Sequence, residues 1–149
     1  MSFDAETIAY YQAAAPRYTA STAQDRHRHL DPFLDRLAPG AQVLELGCGV
    51  GLDAAHIVRR GFALDATDGT EAMVRKANQR FGVGARVMRF DQLDALEKYD
   101  AVWAHASLLH VPRKGLPAIL ARIHAALKPG GLHFANYKLA DECHPDEGR

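Results

Sequence analysis

The absences in this chain narrow the field first. Only two of its 149 residues are cysteine, Cys48 and Cys143, and Cys48 lies between glycines, where a bridge would distort a tight turn. A disulfide framework is therefore not expected, which suits the reducing cytoplasm. Long hydrophobic runs are missing as well. No stretch approaches the about 18 apolar residues of a membrane span. The start, MSFDAETIAYYQ, carries acids where a secretion signal would place basic residues ahead of an apolar core. A cytoplasmic protein with no membrane partner is the expectation. An excess of one charge is absent too: 18 lysines and arginines balance 18 aspartates and glutamates. Such a balance gives no overall pull toward nucleic acid. His27 and His29, in a basic stretch, have no cysteine or acid cluster to complete a ligand set, and Cys143-His144 in the acidic tail is a similarly weak pattern, so no metal is expected.

What is present is regular alternation. The length fits a single domain over residues 1–149, with a cap segment (1–30), a core (40–138) and a polar tail (139–149). Leu30, Phe33, Leu34 and Leu37 recur at helical spacing, with Asp31 as N-cap, Pro32 in the first turn and Pro39-Gly40 as the stop. Residues 42–46 are too short an apolar run for a helix and predict a strand. Gly47 to Gly51 then lead into a helix over 53–60, closed by Gly61. The unit recurs as a strand over 62–67, a turn at Asp68-Gly69 and a helix over 71–80 with Ala72, Met73 and Ala77 inward. Strands are predicted over 86–90, 101–104 and 132–137. The face Leu116, Ile119, Leu120, Ile123, Leu127 marks a helix ended by Lys128-Pro129-Gly130-Gly131. Such alternation implies an α/β fold: a doubly wound parallel sheet of about five strands with helices on both faces. Asp65 reads as an edge-facing polar residue, and Trp103 as core.

In open α/β sheets, ligands bind beyond the carboxyl ends of the strands where strand order reverses, and the first strand sits at that reversal. Gly47, Gly49 and Gly51 fall there, with Cys48 and Val50 interspersed. A dinucleotide fingerprint needs its third glycine five places after the first, but Leu52 occupies that place and the glycine comes one residue early. This weakens a pyrophosphate reading. Glu45, near the end of a buried strand, needs a polar partner from a ligand or an adjacent loop. Asp68 follows the turn by about 20 residues, the distance at which a carboxylate meets the ribose of a bound nucleoside. The plain alternative is a glycine-rich turn that only connects two elements.

Val43-Leu44-Glu45-Leu46-Gly47-Cys48-Gly49-Val50-Gly51 resembles motif I of the Rossmann-like, class I S-adenosylmethionine-dependent methyltransferases. The likeness continues through Ala66-Thr67-Asp68-Gly69-Thr70-Glu71-Ala72-Met73, Phe90-Asp91-Gln92-Leu93 and Leu127-Lys128-Pro129-Gly130-Gly131. It implies that Glu45, Gly47, Cys48, Gly49 and Gly51 hold the methionine part of S-adenosylmethionine, released as S-adenosylhomocysteine. It further implies Asp68 at the ribose, Asp91 and Gln92 at the adenine, and Gly69 or Met73 lining the adenine pocket. The segment from Tyr10 to Tyr18 resembles the lid of the family's small-molecule enzymes, with Tyr11 and Tyr18 closing over the cofactor. The alternative is a capping helix whose Ile8 and Tyr11 pack on the sheet.

Methyl transfer is an in-line displacement at an activated sulfonium, so alignment is the protein's main task. A base is needed only for a protonated acceptor. His105 and His110, in the segment after the fourth strand, are candidates for cofactor or substrate contact or for that base; the alternative is that both are packing histidines. Family members usually continue past strand five into an antiparallel hairpin, whereas ten residues remain after Leu139. The hairpin is therefore expected to be missing, leaving strand five as an edge through which a homodimer could form. The leading expectation is a methyltransferase acting on a small-molecule substrate. Its rivals are an S-adenosylmethionine-binding protein without turnover and a nicotinamide-dependent oxidoreductase.

Overall fold

A computed structural model of the protein describes residues 27–137. Tyr11, Tyr18, Cys143 and His144 lie outside the described residues. Helix α1 is Leu30–Leu34, β1 Gln42–Leu46, α2 Leu52–Arg59, β2 Ala63–Asp68, α3 Glu71–Phe81, β3 Arg86–Val87, β4 Tyr99–Ala104, α4 Leu116–Ala126 and β5 Leu127–Ala135. Three single 3-10 turns, Phe90–Gln92, Leu108–His110 and Arg113–Gly115, fill the connections. Among the described residues no helix is long and apolar enough to cross a membrane.

All five strands run parallel in the order β3-β2-β1-β4-β5. The chain steps outward from β1 to β2 and β3, then returns to the other side of β1 for β4 and β5. Strand order thus reverses between β1 and β4. The period of two in a strand divides the core. Leu44, Leu46, Val102 and Ala104 face Ile119, Ile123 and Ala126 of α4. Val43, Ala101 and Trp103 face Leu30, Phe33 and Leu34 of α1 and Ile57 of α2. Because β1 and β4 are covered on both faces, they read as apolar runs rather than alternating ones.

Several boundaries differ from those the sequence implies. Helix α1 runs only from Leu30 to Leu34 with His29 at its N-cap position, and the Asp31 carboxylate makes no capping hydrogen bond. That carboxylate instead reaches α2, 2.7 Å from His56 Nε2 and 2.9 Å from the Arg60 guanidinium. Strand β3 holds two residues, and Phe90 enters a 3-10 turn. On α4, Leu120 is 37% exposed and Ala126 takes the inward place instead. The Pro129-Gly130-Gly131 break lies inside β5: Tyr99 pairs with Leu127, then Ala101 with Leu132, so the intervening residues bulge from the ladder. Proline, having no N–H, cannot contribute there. Strand β5 is outermost among the described residues.

Asp65 is half-buried, not edge-facing. Arg86 donates to both its oxygens at 2.9 Å, and the Tyr99 hydroxyl donates to Oδ2. Burial pushes the carboxyl up, but the Arg86 and Tyr99 hydrogen bonds outweigh it and hold the group below the ordinary carboxylate range. Tyr99 is raised to about 12 by burial and by this neighbour. Since the folded state lowers the Asp65 pKa, the stabilisation is full at neutral pH and is lost as pH falls below the usual carboxylate value. Arg86→Ala is expected to cost about 1 kcal/mol at pH 7, given the arginine's exposure, and much less at pH 3. Urea unfolding at both pH values checks this; an equal loss at both would contradict it.

Candidate functional site

The carboxyl edge between β1 and β4 is assembled from the turn after each strand. After Leu46 the chain enters Gly47 at φ +75°. A β-carbon on Gly47 would lie 2.5 Å from Cβ of Ser107, three residues past the end of β4. The two turns therefore touch, backbone against side chain, at the point of strand reversal. Gly49, at φ +57°, has nothing within 4 Å of where its β-carbon would stand. It faces open space, so the absent side chain leaves a cradle of bare backbone into which a ligand can come close. Gly51 is different: a β-carbon there would lie 2.9 Å from Cβ of Ala77, so this glycine lets α2 approach α3. Its place in the glycine motif implies a ligand contact, whereas its close neighbour in the structure is Ala77.

The remaining candidates fall into three groups. Glu45 is buried at the end of β1, and its backbone carbonyl accepts from the Thr67 hydroxyl at 2.7 Å. The Cys48 side chain points away from the cradle into a cluster with Ala54, Ala66, Val74 and Ala77, so only its backbone faces a ligand. Burial pushes its thiol well up, and the Glu45 and Asp68 carboxylates add to the rise. It is not a nucleophile in this state.

Asp68 ends β2. Its Oδ2 accepts the Gly49 N–H at 2.9 Å and its Oδ1 the Thr70 N–H at 2.8 Å. Burial raises its pKa, and these two hydrogen bonds offset part of the rise. The carboxylate thus ties the glycine turn to the start of α3. Gly69 is half-buried beside it, and Met73 packs beneath against Val50. Beyond β3, Asp91 pairs with Arg89 at 3.1 Å and the Gln92 side chain accepts the Arg89 N–H at 2.8 Å, fixing that 3-10 turn. All of these lie on the β2–β3 side of the cradle.

On the other side stands the segment after β4. Ser107 is buried, and its hydroxyl has no hydrogen-bond partner among the described residues. Ala106 adopts φ +57°, a conformation uncommon for a residue with a side chain, and its N–H donates to Asn136 Oδ1 at 2.6 Å. His105 immediately precedes it, half-buried against Trp103 and Phe134. His110, also half-buried, ends the 3-10 turn beyond. Asp53 was not singled out in the sequence, yet it is the buried carboxylate nearest His105, 3.5 Å from Oδ2 to Nδ1. No local pattern marks it, since an acid in the first turn of a helix reads as a solvated partner of the helix dipole. Among the described residues no group of three or more histidines, cysteines or acids could hold a metal ion.

Five parallel strands in this order, with a glycine cradle at the reversal and an acid at the end of β2, define a nucleotide-cofactor-binding α/β domain. Comparison narrows the class. The profile of the methyltransferase domain family matches residues 43–131, and the chain belongs to this family, the class I S-adenosylmethionine-dependent methyltransferases. It is 36% identical over 111 residues to the ubiquinone biosynthesis O-methyltransferase of Paramagnetospirillum magneticum, covering 71% of this chain and 44% of that protein. It is 30% identical over 151 residues to the sterol 24-C-methyltransferase of Yarrowia lipolytica, covering 92% and 38%. The chain therefore spans less than half the length of either relative. Among solved structures, a complex of DhpI with SAH aligns at a TM-score of 0.69 and 27% identity over 95% of this chain and 74% of that one. A TehB-like SAM-dependent methyltransferase from Corynebacterium glutamicum, 23% identical, shares the fold at a TM-score of 0.66 over 85% of this chain and 72% of that one.

Proposed function

We propose that this chain binds S-adenosylmethionine across the carboxyl ends of β1 and β4 and serves transfer of the methyl group to a small-molecule acceptor. The observation that carries the reading is the open backbone at Gly49, set between the Gly47–Ser107 contact on one side and Asp68 on the other. In it, Glu45, Gly47, Cys48 (through its backbone) and Gly49 hold the amino-acid end of the cofactor. Asp68 meets the ribose with the lone pairs its two backbone partners leave open. Asp91, Gln92 and Gly69 surround the adenine, with Met73 as the floor. His105 and His110 stand on the acceptor's side. Gly51 contributes by packing rather than by contact.

When bound, the cofactor supplies a methyl group already activated on a sulfonium, which leaves as a neutral thioether. The protein then has to align the acceptor and keep water out. A small acceptor is favoured by the even charge, 18 basic against 18 acidic residues, which provides no overall field for a nucleic acid. The names of the two curated relatives, concerned with ubiquinone and sterol, point the same way. Leu52 at the place of the third glycine, with Gly51 one residue early, disfavours a nicotinamide dinucleotide. Titration calorimetry tests the reading: S-adenosylmethionine and S-adenosylhomocysteine should bind one to one, and NAD should not. Heat from NAD alone would overturn it.

A further inference from the structure

A second concavity lies at the amino ends of the strands, the opposite end of the sheet from the cofactor cradle. It holds about 400 Å³ at the starts of β1, β2 and β4, with Arg86 of β3 along one side. The four steps of β1 from Gln42 to Leu46 separate the two places by about 13 Å, at roughly 3.3 Å per residue. Topology leaves the sheet open here. The Cα of Asp65 pairs with that of Leu44, which packs under α4, so Asp65 stands on α4's face of the sheet. Arg86 pairs with Thr67, two residues further along β2, and shares that face. Helices α2 and α3 pack on the other face, against Val43 and Ala66, and α4 covers β1 and β4. Among the described residues no helix lies over the starts of β2 and β3, and the cavity opens there.

The charged groups that line it are held in a definite arrangement. Arg86 meets Asp65 side-on: Nε donates to Oδ1 and Nη2 to Oδ2, each at 2.9 Å. The hydroxyl of the buried Tyr99 donates to the same carboxylate. This pairing uses one edge of the guanidinium, two of its five N–H groups. The other edge, formed by Nη1 and Nη2, keeps a parallel pair of donors, the geometry that matches a carboxylate or a phosphate. Lys98 supplies a second cation. Its ammonium lies 5.4 Å from the centre of the Tyr99 ring and makes no ion pair among the described residues. Two positive charges and one negative charge therefore line the cavity. Asp100, beside Tyr99, leaves that balance unchanged, because its carboxylate accepts the Gln42 N–H at 2.8 Å and pairs with Lys128 at 3.3 Å. Apolar residues at 65 and 99 would complete the sheet equally well, since a partly buried ion pair adds little net stability. What Asp65 and Tyr99 add is a fixed orientation for an arginine whose side chain is 50% exposed.

We infer that this cavity is a second ligand site, which takes a small organic anion: a carboxylate or phosphate group on a compact apolar body. The anionic group receives the unused edge of Arg86 and the Lys98 ammonium, and the body rests against Ala63 and Leu64. Asp65 acts on the ligand only through Arg86, as a positioning residue. The volume falls in the lower part of the range for small-molecule sites, about 300–1,000 Å³. A nucleic acid would need cations along a track rather than two at one point, and the even overall charge supplies no field for it. No residue of the glycine turn lines this cavity, so the inference does not depend on the methyl-donor reading.

The test is a nitrogen–proton NMR titration of the full chain with benzoate, with phenyl phosphate and, as the uncharged control, with benzyl alcohol. The backbone amides of Leu64, Asp65, Arg86 and Lys98 and the Arg86 Nε–H should shift saturably with an anion in the millimolar range, and not with benzyl alcohol. A response to benzoate alone assigns the site to carboxylates, and one to phenyl phosphate alone assigns it to phosphates. Two variants locate the anion. Lys98→Gln, at an exposed position, should weaken binding about tenfold, and Arg86→Lys, which keeps the charge but not the fork, by at least as much. Denaturant unfolding of Lys98→Gln should match the parent, so that its loss of binding is not a loss of fold. S-adenosylhomocysteine should move the amides of Gly47, Gly49 and Ser107 instead. Shifts that never saturate, an equal response to benzyl alcohol, or parental affinity in both variants would overturn the inference. Saturable shifts centred elsewhere on the chain would do the same. Failure of S-adenosylhomocysteine to bind would count only against the donor site.

Discussion

Gly47→Ala is expected to lower the stability of the domain by about 3 kcal/mol and to abolish measurable S-adenosylhomocysteine binding. Two effects add. The backbone at φ +75° costs about 1 kcal/mol or more for any residue with a β-carbon. The methyl group itself would stand 2.5 Å from Cβ and 3.2 Å from Oγ of Ser107. Contacts that short force the turn and the segment after β4 apart, at a typical overpacking cost of 1–3 kcal/mol. Against a usual total of 5–15 kcal/mol, such a loss is large. Denaturant unfolding measures it, and a second substitution separates the parts. Ser107→Gly in the Gly47→Ala background should recover the steric share and leave the backbone share. If the single variant unfolds within 1 kcal/mol of the parent, the two turns do not meet as described.

Asp68→Ala is the second large effect: cofactor affinity should weaken by more than tenfold, 1.4 kcal/mol or more. The sequence suggested this from the distance to a ribose. The structure adds a second cause, since the same carboxylate holds the N–H groups of Gly49 and Thr70. Removing it leaves two donors near a buried position without their acceptor, at about 1–3 kcal/mol each if water cannot reach them. Asp68→Asn should fail as well. Its amide has one oxygen for two donors, and its NH₂ would face an N–H group. Calorimetric affinities near the parent value for both variants would mean that neither the ribose nor the turn depends on Asp68.

Most of the scaffold was legible because its signals are local. Short apolar runs bounded by glycine and proline marked β1, β2 and β4, and Gly47 to Gly51 stood where such a turn must stand. What stayed hidden depends on residues distant in sequence. Asp31 looked like a helix cap, and only the approach of α2 turns it toward His56 and Arg60. Pro129-Gly130-Gly131 looked like the end of an element, yet pairing on both sides with β4 makes it a bulge within β5. Gly51 carried the same signal as its neighbours although its reason is Ala77 of another helix. Asp53 was invisible for a related cause: its burial is created by Trp103, 50 residues later. The candidate site was therefore readable on the side of the glycine turn and its acids, and unreadable where β4 meets α2.

The touch between Gly47 and Ser107 also sets a boundary for change. Ser107 is registered against the glycine turn, so a larger side chain at Gly47 or Ser107 moves both turns. Past Ser107 the chain runs through two successive 3-10 turns, Leu108–His110 and Arg113–Gly115, before α4 begins. Within that stretch Leu108 and Val111 are buried in the core beneath α4, whereas Arg113 and Lys114 are exposed. Change in this stretch is therefore open at Arg113 and Lys114 and costly at Leu108 and Val111, whatever the two turns hold.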